Sequence, residues 1–137
     1  QNHFFAQLGL PGLFQNYHGL VLGVSAGSMN AAHIVYAAPE EPGEAADPHY
    51  SRWMNGLGLT ETRILPHYQF IRDHVLDGQK VEDIALADSK KRHFLALPDG
   101  SYILCADGSE ALYGRGWYFA DGMMEEINED EDVLPLR

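Results

Sequence analysis

The chain has 137 residues, 45% of them hydrophobic, which suits one soluble domain with a core of its own. Nine Lys and Arg against 20 Asp and Glu leave a net charge of −11, which speaks against a phosphate-backbone binder, so no nucleic-acid partner is expected. No apolar run approaches the length of a membrane span, and one cysteine, Cys105, can form no internal disulfide; no signal peptide and no membrane partner are expected, and the cytoplasm is the expected compartment.

In chain order, Phe4, Phe5 and Leu8 recur at helical spacing, and Leu10, Leu13 and Phe14 continue the apolar face across the interruptions at Gly9 and Pro11. Gly19-Leu-Val-Leu-Gly23 is a continuous apolar run, the pattern of a strand buried on both faces of a parallel sheet. A helix is predicted over Gly27 to Tyr36, ended by Pro39 and Pro42 in the polar loop APEEPGEAADPHYSRW. Gly56 to Leu59 reads as a turn, and RILPHY brings a second short apolar segment to His67. Lys80 to Lys91 reads as a helix with Val81, Ile84, Ala85 and Ala87 facing inward. From His93 the character changes: short apolar runs are separated by turn signals at Asp99-Gly100 and Asp107-Gly108, so this region is expected to be β-rich and antiparallel. Cys105, inside the apolar run 102–106, is expected to be a small buried hydrophobe. The acidic residues 127–137 are expected to be a flexible, solvated tail of a single domain spanning 1–137.

Helix, buried strand, helix, strand, helix and strands in succession predict an α/β sandwich. One strand as apolar as 19–23 belongs mid-sheet and calls for neighbours on both sides. The chain starts at Gln1 without a methionine, and an N-terminal part of the sheet is therefore expected to be missing. An unpaired flank of such a strand is an association hazard, which puts a homo-oligomer among the expected states.

The chemistry concentrates at Gly23-Val-Ser25-Ala-Gly27. A Gly-x-Ser-x-Gly pattern after a predicted strand and before a predicted helix is the setting of a nucleophile elbow. Ser25 is the candidate nucleophile, and the amide of Ala26 the candidate oxyanion donor. The alternative is a tight turn that merely packs a helix on a strand. Among seven histidines, His67 ends an apolar segment that would deliver it to the C-terminal edge of a sheet beside Ser25. No two histidines stand four apart with a glutamate between them, so no metal is expected, and nothing calls for a cofactor.

GVSAGSMNAA, the GLGL turn before ILPHY, and LALPDGSYILCADGSEALYG occur in the order and context of the peptidase E and cyanophycinase family of serine peptidases, which the chain resembles over nearly its whole length. The resemblance implies a three-layer sandwich around a mostly parallel sheet, similar to class I glutamine amidotransferases and flavodoxin-like folds, with an antiparallel excursion near the C-terminus. It implies Ser25 as nucleophile and His67 as general base. For the third member it leaves two carboxylates: Asp99, where a relative carries glutamate (LPEG), and Glu40, near an acidic residue sometimes given the role. Asp99 is preferred because a turn between strands is rigid, whereas Glu40 lies in a proline-rich loop. QNHFF resembles the family segment that follows a glycine-rich turn carrying a second oxyanion donor, which implies that this chain alone is inactive or nearly so. The implied substrates are short peptides, with an acidic N-terminal residue as the implied preference. Arg52, Arg63, Arg72 and Arg92 are candidates for recognising such a carboxylate. Two further readings stay open: an esterase or amidase with the same triad, and a binding module that has lost catalysis.

Overall fold

The computed structural model describes residues 1–128 and 133–136. Two short helices open it, α1 (Asn2–Gln7) and α2 (Leu10–Phe14), and neither buries a residue. Gly9, at φ 65, ends the first, and Pro11 starts the second, where a missing N–H costs nothing. The run 19–23 is not the buried strand its composition suggests. Among the described residues it pairs with no strand, and Leu20 and Leu22 are 86% and 83% exposed. An apolar run becomes a buried strand only where neighbouring backbones take up its N–H and C=O groups, and the described residues place none beside it.

α3 (Ala26–Ala31) follows at once. It is shorter than predicted: Ala32 turns extended, and Ile34–Tyr36 forms β1, antiparallel to β2 (Trp53–Asn55). The β-branched pair Ile34-Val35 is stiff in a helix and packs well on a pleat, which is why the helical pattern fails there. β3 (Ile64–Leu65) leads through His67 into α4 (Tyr68–Ile71), then a hairpin of β4 (Val75–Leu76) and β5 (Gln79–Lys80). Asp77 and Gly78 turn that hairpin at φ 51 and φ 80, as a two-residue turn between right-twisted strands requires. α5 (Val81–Ser89) buries Val81, Ile84 and Ala85, but Ala87 faces out. β6 (Phe94–Ala96), β7 (Tyr102–Ala106), β8 (Ser109–Tyr113), β9 (Gly116–Ala120), β10 (Met123–Ile127) and β11 (Val133–Pro135) complete the chain.

The class is α/β, with a mixed sheet plus helices. Its sheets are small and mostly antiparallel. The largest runs β10-β9-β6-β3; β3 and β6 pair in parallel, the other two pairings are antiparallel. β6 explains the core. All three of its residues are buried, and alternation sends Phe94 and Ala96 to one face and Leu95 to the other. On the first face Phe94 stacks on Tyr36 and Phe119, with Tyr68, Ala85 and Trp117 packed around them. On the second, Leu95 and Leu97 meet Ile64 and Leu112, the last from a three-stranded sheet ordered β11-β8-β7.

Two expectations change at the C-terminal end. Cys105 is exposed, because β7 lies at the edge of its sheet with most of its residues facing solvent. Ile127 closes β10 and Val133–Pro135 pairs with β8, so those residues are not a free tail; residues 129–132 and 137 of the expected tail lie outside the described residues. Among the described residues, no helix is long and apolar enough to cross a membrane.

Candidate active site

Ser25 is the residue before α3, with φ 52 and ψ −122, a conformation that side-chain-bearing residues rarely adopt. The local sequence permits it. A Cβ on Gly23 would lie 2.8 Å from backbone atoms of Gly27 and Ser28, so only glycine lets the chain fold back so closely over the first helical turn. The turn is then tied. The Ser28 hydroxyl donates to the Ser25 carbonyl at 2.6 Å, and the buried Asn30 donates through Nδ2 to the Ala26 carbonyl at 2.7 Å. Asn2 donates in turn to Asn30 Oδ1 at 2.8 Å and to the Asn55 carbonyl at 2.7 Å, which docks α1 against this region. Ala26, as first residue of α3, has an N–H without a partner inside the helix.

His67 stands where β3 gives way to α4, held in the left-handed region at φ 59. Its Nε2 lies 2.9 Å from Ser25 Oγ, and its Nδ1 lies 2.6 Å from Asp99 Oδ1. With the ring proton on Nδ1, the imidazole donates to Asp99 and accepts the Ser25 hydroxyl proton at Nε2. Asp99 sits in the turn after β6, and its own N–H donates to Gln69 Oε1 at 3.1 Å. Parallel pairing of β3 with β6 therefore delivers histidine and aspartate to the same sheet end. The His67 and Asp99 side chains are 44% and 53% exposed, so the row opens directly to solvent.

Beside it lies a cleft of about 440 Å³, lined by Ser25, Ala26 and His67, by apolar Met29, Ile71 and Leu76, and by Glu40 and Glu41. The structure thus brings Ser25, His67 and Asp99 together. Glu40 shares the cleft but forms no hydrogen bond with His67; its backbone N–H donates to Glu44 instead. Among the described residues no Lys or Arg lines the cleft. Of the candidate arginines, Arg52 pairs with Asp88 at 3.3 Å, Arg72 with Glu82 at 3.2 Å, and Arg63 donates to the His93 carbonyl. Burial pushes the Tyr68 hydroxyl, next in sequence to His67, far up, and the Glu82 carboxylate it donates to pushes it further. Tyr50 is raised first by burial and then by the charges of Glu44 and Glu40.

Sequence reasoning missed Gln69 and Asn30, which set the aspartate's loop and the elbow's first turn. Asn30 lies within GVSAGSMNAA and Gln69 in no motif, but the role of each rests on bonds that folding creates. A third omission is Asp77, whose carboxylate accepts the N–H groups of Gly43, Ala45 and Ala46 at 2.8–3.1 Å and so fastens the loop that bears Glu40 and Glu41. Among the described residues no group of His, Cys, Asp and Glu could hold a metal ion.

A family model described as Peptidase family S51 matches residues 13–112, a span that contains Ser25, His67 and Asp99. No curated protein and no solved structure matches the chain.

Proposed function

Because the chain belongs to peptidase family S51, the family of peptidase E and cyanophycinase, we propose that it acts as a serine hydrolase on short peptides, with Ser25, His67 and Asp99 as its catalytic row. The observation that carries this reading is the unbroken chain of contacts Ser25 Oγ to His67 Nε2 at 2.9 Å and His67 Nδ1 to Asp99 Oδ1 at 2.6 Å. Ser25 Oγ attacks the peptide carbonyl carbon while its proton passes to His67 Nε2. The Ala26 N–H donates to the carbonyl oxygen as it becomes an oxyanion. His67 then returns the proton to the leaving amine, and the C–N bond breaks to leave an acyl-serine. Water, deprotonated by the same nitrogen, releases the acid and restores the hydroxyl. Asp99 stays ionised throughout, holding the Nδ1 tautomer and balancing the imidazolium. The parallel β3–β6 pair is in keeping with a three-layer, mostly parallel sandwich, whose strand ends are where such a row is assembled.

A fluorophosphonate probe applied to the intact protein tests this. One adduct on Ser25, mapped by mass spectrometry and blocked by a short peptide, supports the reading. Absence of labelling at Ser25 in folded protein sinks it, and with it the esterase and amidase alternatives, leaving a binding module.

A further inference from the structure

We propose that Glu110 is a positioning residue for the catalytic row: through the hydroxyls of Thr60 and Thr62 it fixes the segment that packs on the end of α3 and leads into β3, and so sets the distance from Ser25 to His67. The proposal deepens the hydrolase reading and rests on it for the importance of that distance. Among the described residues, neither Glu110 nor the two threonines line the cleft, so the effect on chemistry is indirect.

Three observations carry it. First, Glu110 occupies an inward position of β8, in alternation with its neighbours, and is only 4% exposed. Leu112, two residues on and on the same face, packs with Ile64, Leu95 and Leu97. A carboxylate beside such a cluster costs free energy unless donors meet it. Two donors come from one short segment: Thr60 donates to Oε1 at 2.6 Å and Thr62 donates to Oε2. Thr60 Oγ1 also accepts the Thr62 N–H at 3.0 Å, which closes the three side chains into one knot. Second, the segment is fastened to α3, and through α3 to the nucleophile. The N–H groups of Leu57 and Leu59 donate at 2.8 Å to the carbonyls of Asn30 and Ala31, and the Thr60 carbonyl accepts the His33 N–H at 2.8 Å. Ser25 immediately precedes α3, so a shift at the far end of this short helix is carried to the serine. Third, the other half of the row is held separately. The N–H groups of Leu95 and Leu97 donate at 2.9 Å to the carbonyls of Arg63 and Leu65, the parallel ladder that brings His67 and Asp99 together. Upstream of Arg63, Glu110 makes the tie. β8 is the middle strand of its sheet, and its Leu112 is packed on the β3 and β6 side chains. Glu110 therefore joins the part that bears His67 and Asp99 to the part that bears Ser25.

NMR of the full chain with nitrogen-labelled histidine reads both His67 contacts without any turnover. Ser25→Ala protein supplies the Nε2 resonance of a His67 that has lost its serine partner. Glu110→Met keeps an unbranched apolar side chain at the buried position but gives the threonine hydroxyls no carboxylate. In that variant Nε2 is expected to move toward its Ser25→Ala value, while the low-field Nδ1–H signal of the bond to Asp99 stays. In peptide hydrolysis kcat should fall by about 10²-fold, as an ångström of misplacement would cost, with KM little changed because the cleft lining is untouched. Glu110→Gln should return both readings close to wild type, since its amide accepts from one threonine and donates to the other, whose hydroxyl can do either. Glu110→Met combined with Thr60→Val and Thr62→Val leaves no polar partner of the knot behind; it is the variant to read if Glu110→Met alone does not fold, with the same outcomes expected. An unmoved Nε2 resonance or undiminished kcat in the folded variant, loss of the Nδ1–H signal along with the Nε2 shift, a Glu110→Gln protein as impaired as Glu110→Met, or failure of both apolar variants to fold would each overturn the proposal. The expected Nε2 shift together with no hydrolysis by the unaltered protein would instead fault the hydrolase reading alone.

Discussion

Ser25→Ala removes one hydroxyl from a residue whose strained backbone is set by Gly23 and by bonds to its carbonyl, so the fold is expected to survive while peptide hydrolysis falls by several orders of magnitude. Circular dichroism alongside a peptide assay checks both halves, and near-wild-type turnover would dismiss the mechanism. Asp99→Asn should cost on the order of 10⁴-fold in kcat by disturbing the His67 tautomer, and Glu40→Gln much less on an uncharged peptide; the opposite ranking would give the role to Glu40. Two buried tyrosines set an alkaline limit. Tyr36 donates to Asp88 at 2.9 Å and is raised by burial first and then by that carboxylate, and Tyr68 is raised by burial and then by Glu82. Because both native values lie above the ordinary 10.0, the unfolded chain loses these protons first. Stability from this source is complete below pH 10 and is lost as pH rises toward the native values. The urea midpoint should therefore fall between pH 9 and pH 11, and Tyr36→Phe with Tyr68→Phe should flatten that fall, whatever it does to the midpoint at neutral pH.

Among the elements, the elbow and the turn at Gly56 respond to a single methyl group in opposite ways from their neighbours. Gly23→Ala would drive a Cβ into the backbone of α3, and a shift of the serine by an ångström is expected to cost on the order of 10²-fold in activity. Gly27→Ala meets nothing within 4 Å, and as a helical position it should gain up to about 1 kcal/mol. The two glycines of one motif thus separate by assay: equal losses would mean that crowding is not what Gly23 relieves. A Cβ on Gly56 would lie 2.1 Å from the Ala32 carbonyl oxygen, where the chain after β2 crosses the end of α3. Gly56→Ala should destabilise by on the order of 2–4 kcal/mol, read as a lowered thermal midpoint. The β7–β8 hairpin was legible in the sequence because Asp107-Gly108 supplies the positive φ values, 51 and 78, that a two-residue turn demands, whereas Asp99-Gly100 turns the chain from one sheet to another. The β1–β2 pair was not, because its two strands are separated by the long loop 37–52 and nothing local announces their pairing.

At the scale of the molecule, the exposed apolar run is the feature with the largest consequence. Leu20, Leu22 and Val24 face solvent beside the elbow, with no strand beside them among the described residues. An apolar segment with unmet backbone groups is a template for pairing, so concentration-dependent association is expected in sedimentation experiments. Leu20→Lys with Leu22→Lys should shift the distribution toward monomer. An unchanged distribution would place any association elsewhere on the surface.

By itself the sequence determined the α/β class, the Asp107-Gly108 hairpin, three of the four residues expected on the inner face of α5 (Val81, Ile84 and Ala85), and the identity of a serine on a glycine-flanked bend and a histidine at a strand end. These depend on residue type and on spacing within a few positions, where steric rules act. Tertiary structure decided the rest. It left 19–23 uncovered, because a strand's burial is set by neighbours and not by its own hydropathy. It turned Ile34–Tyr36 from helix into strand once Trp53–Asn55 lay beside it. Between the two candidate carboxylates, it put Asp99 within 2.6 Å of His67 and sent Glu40 to the cleft wall, since the parallel pairing of β3 with β6 joins residues 32 positions apart that no local pattern connects.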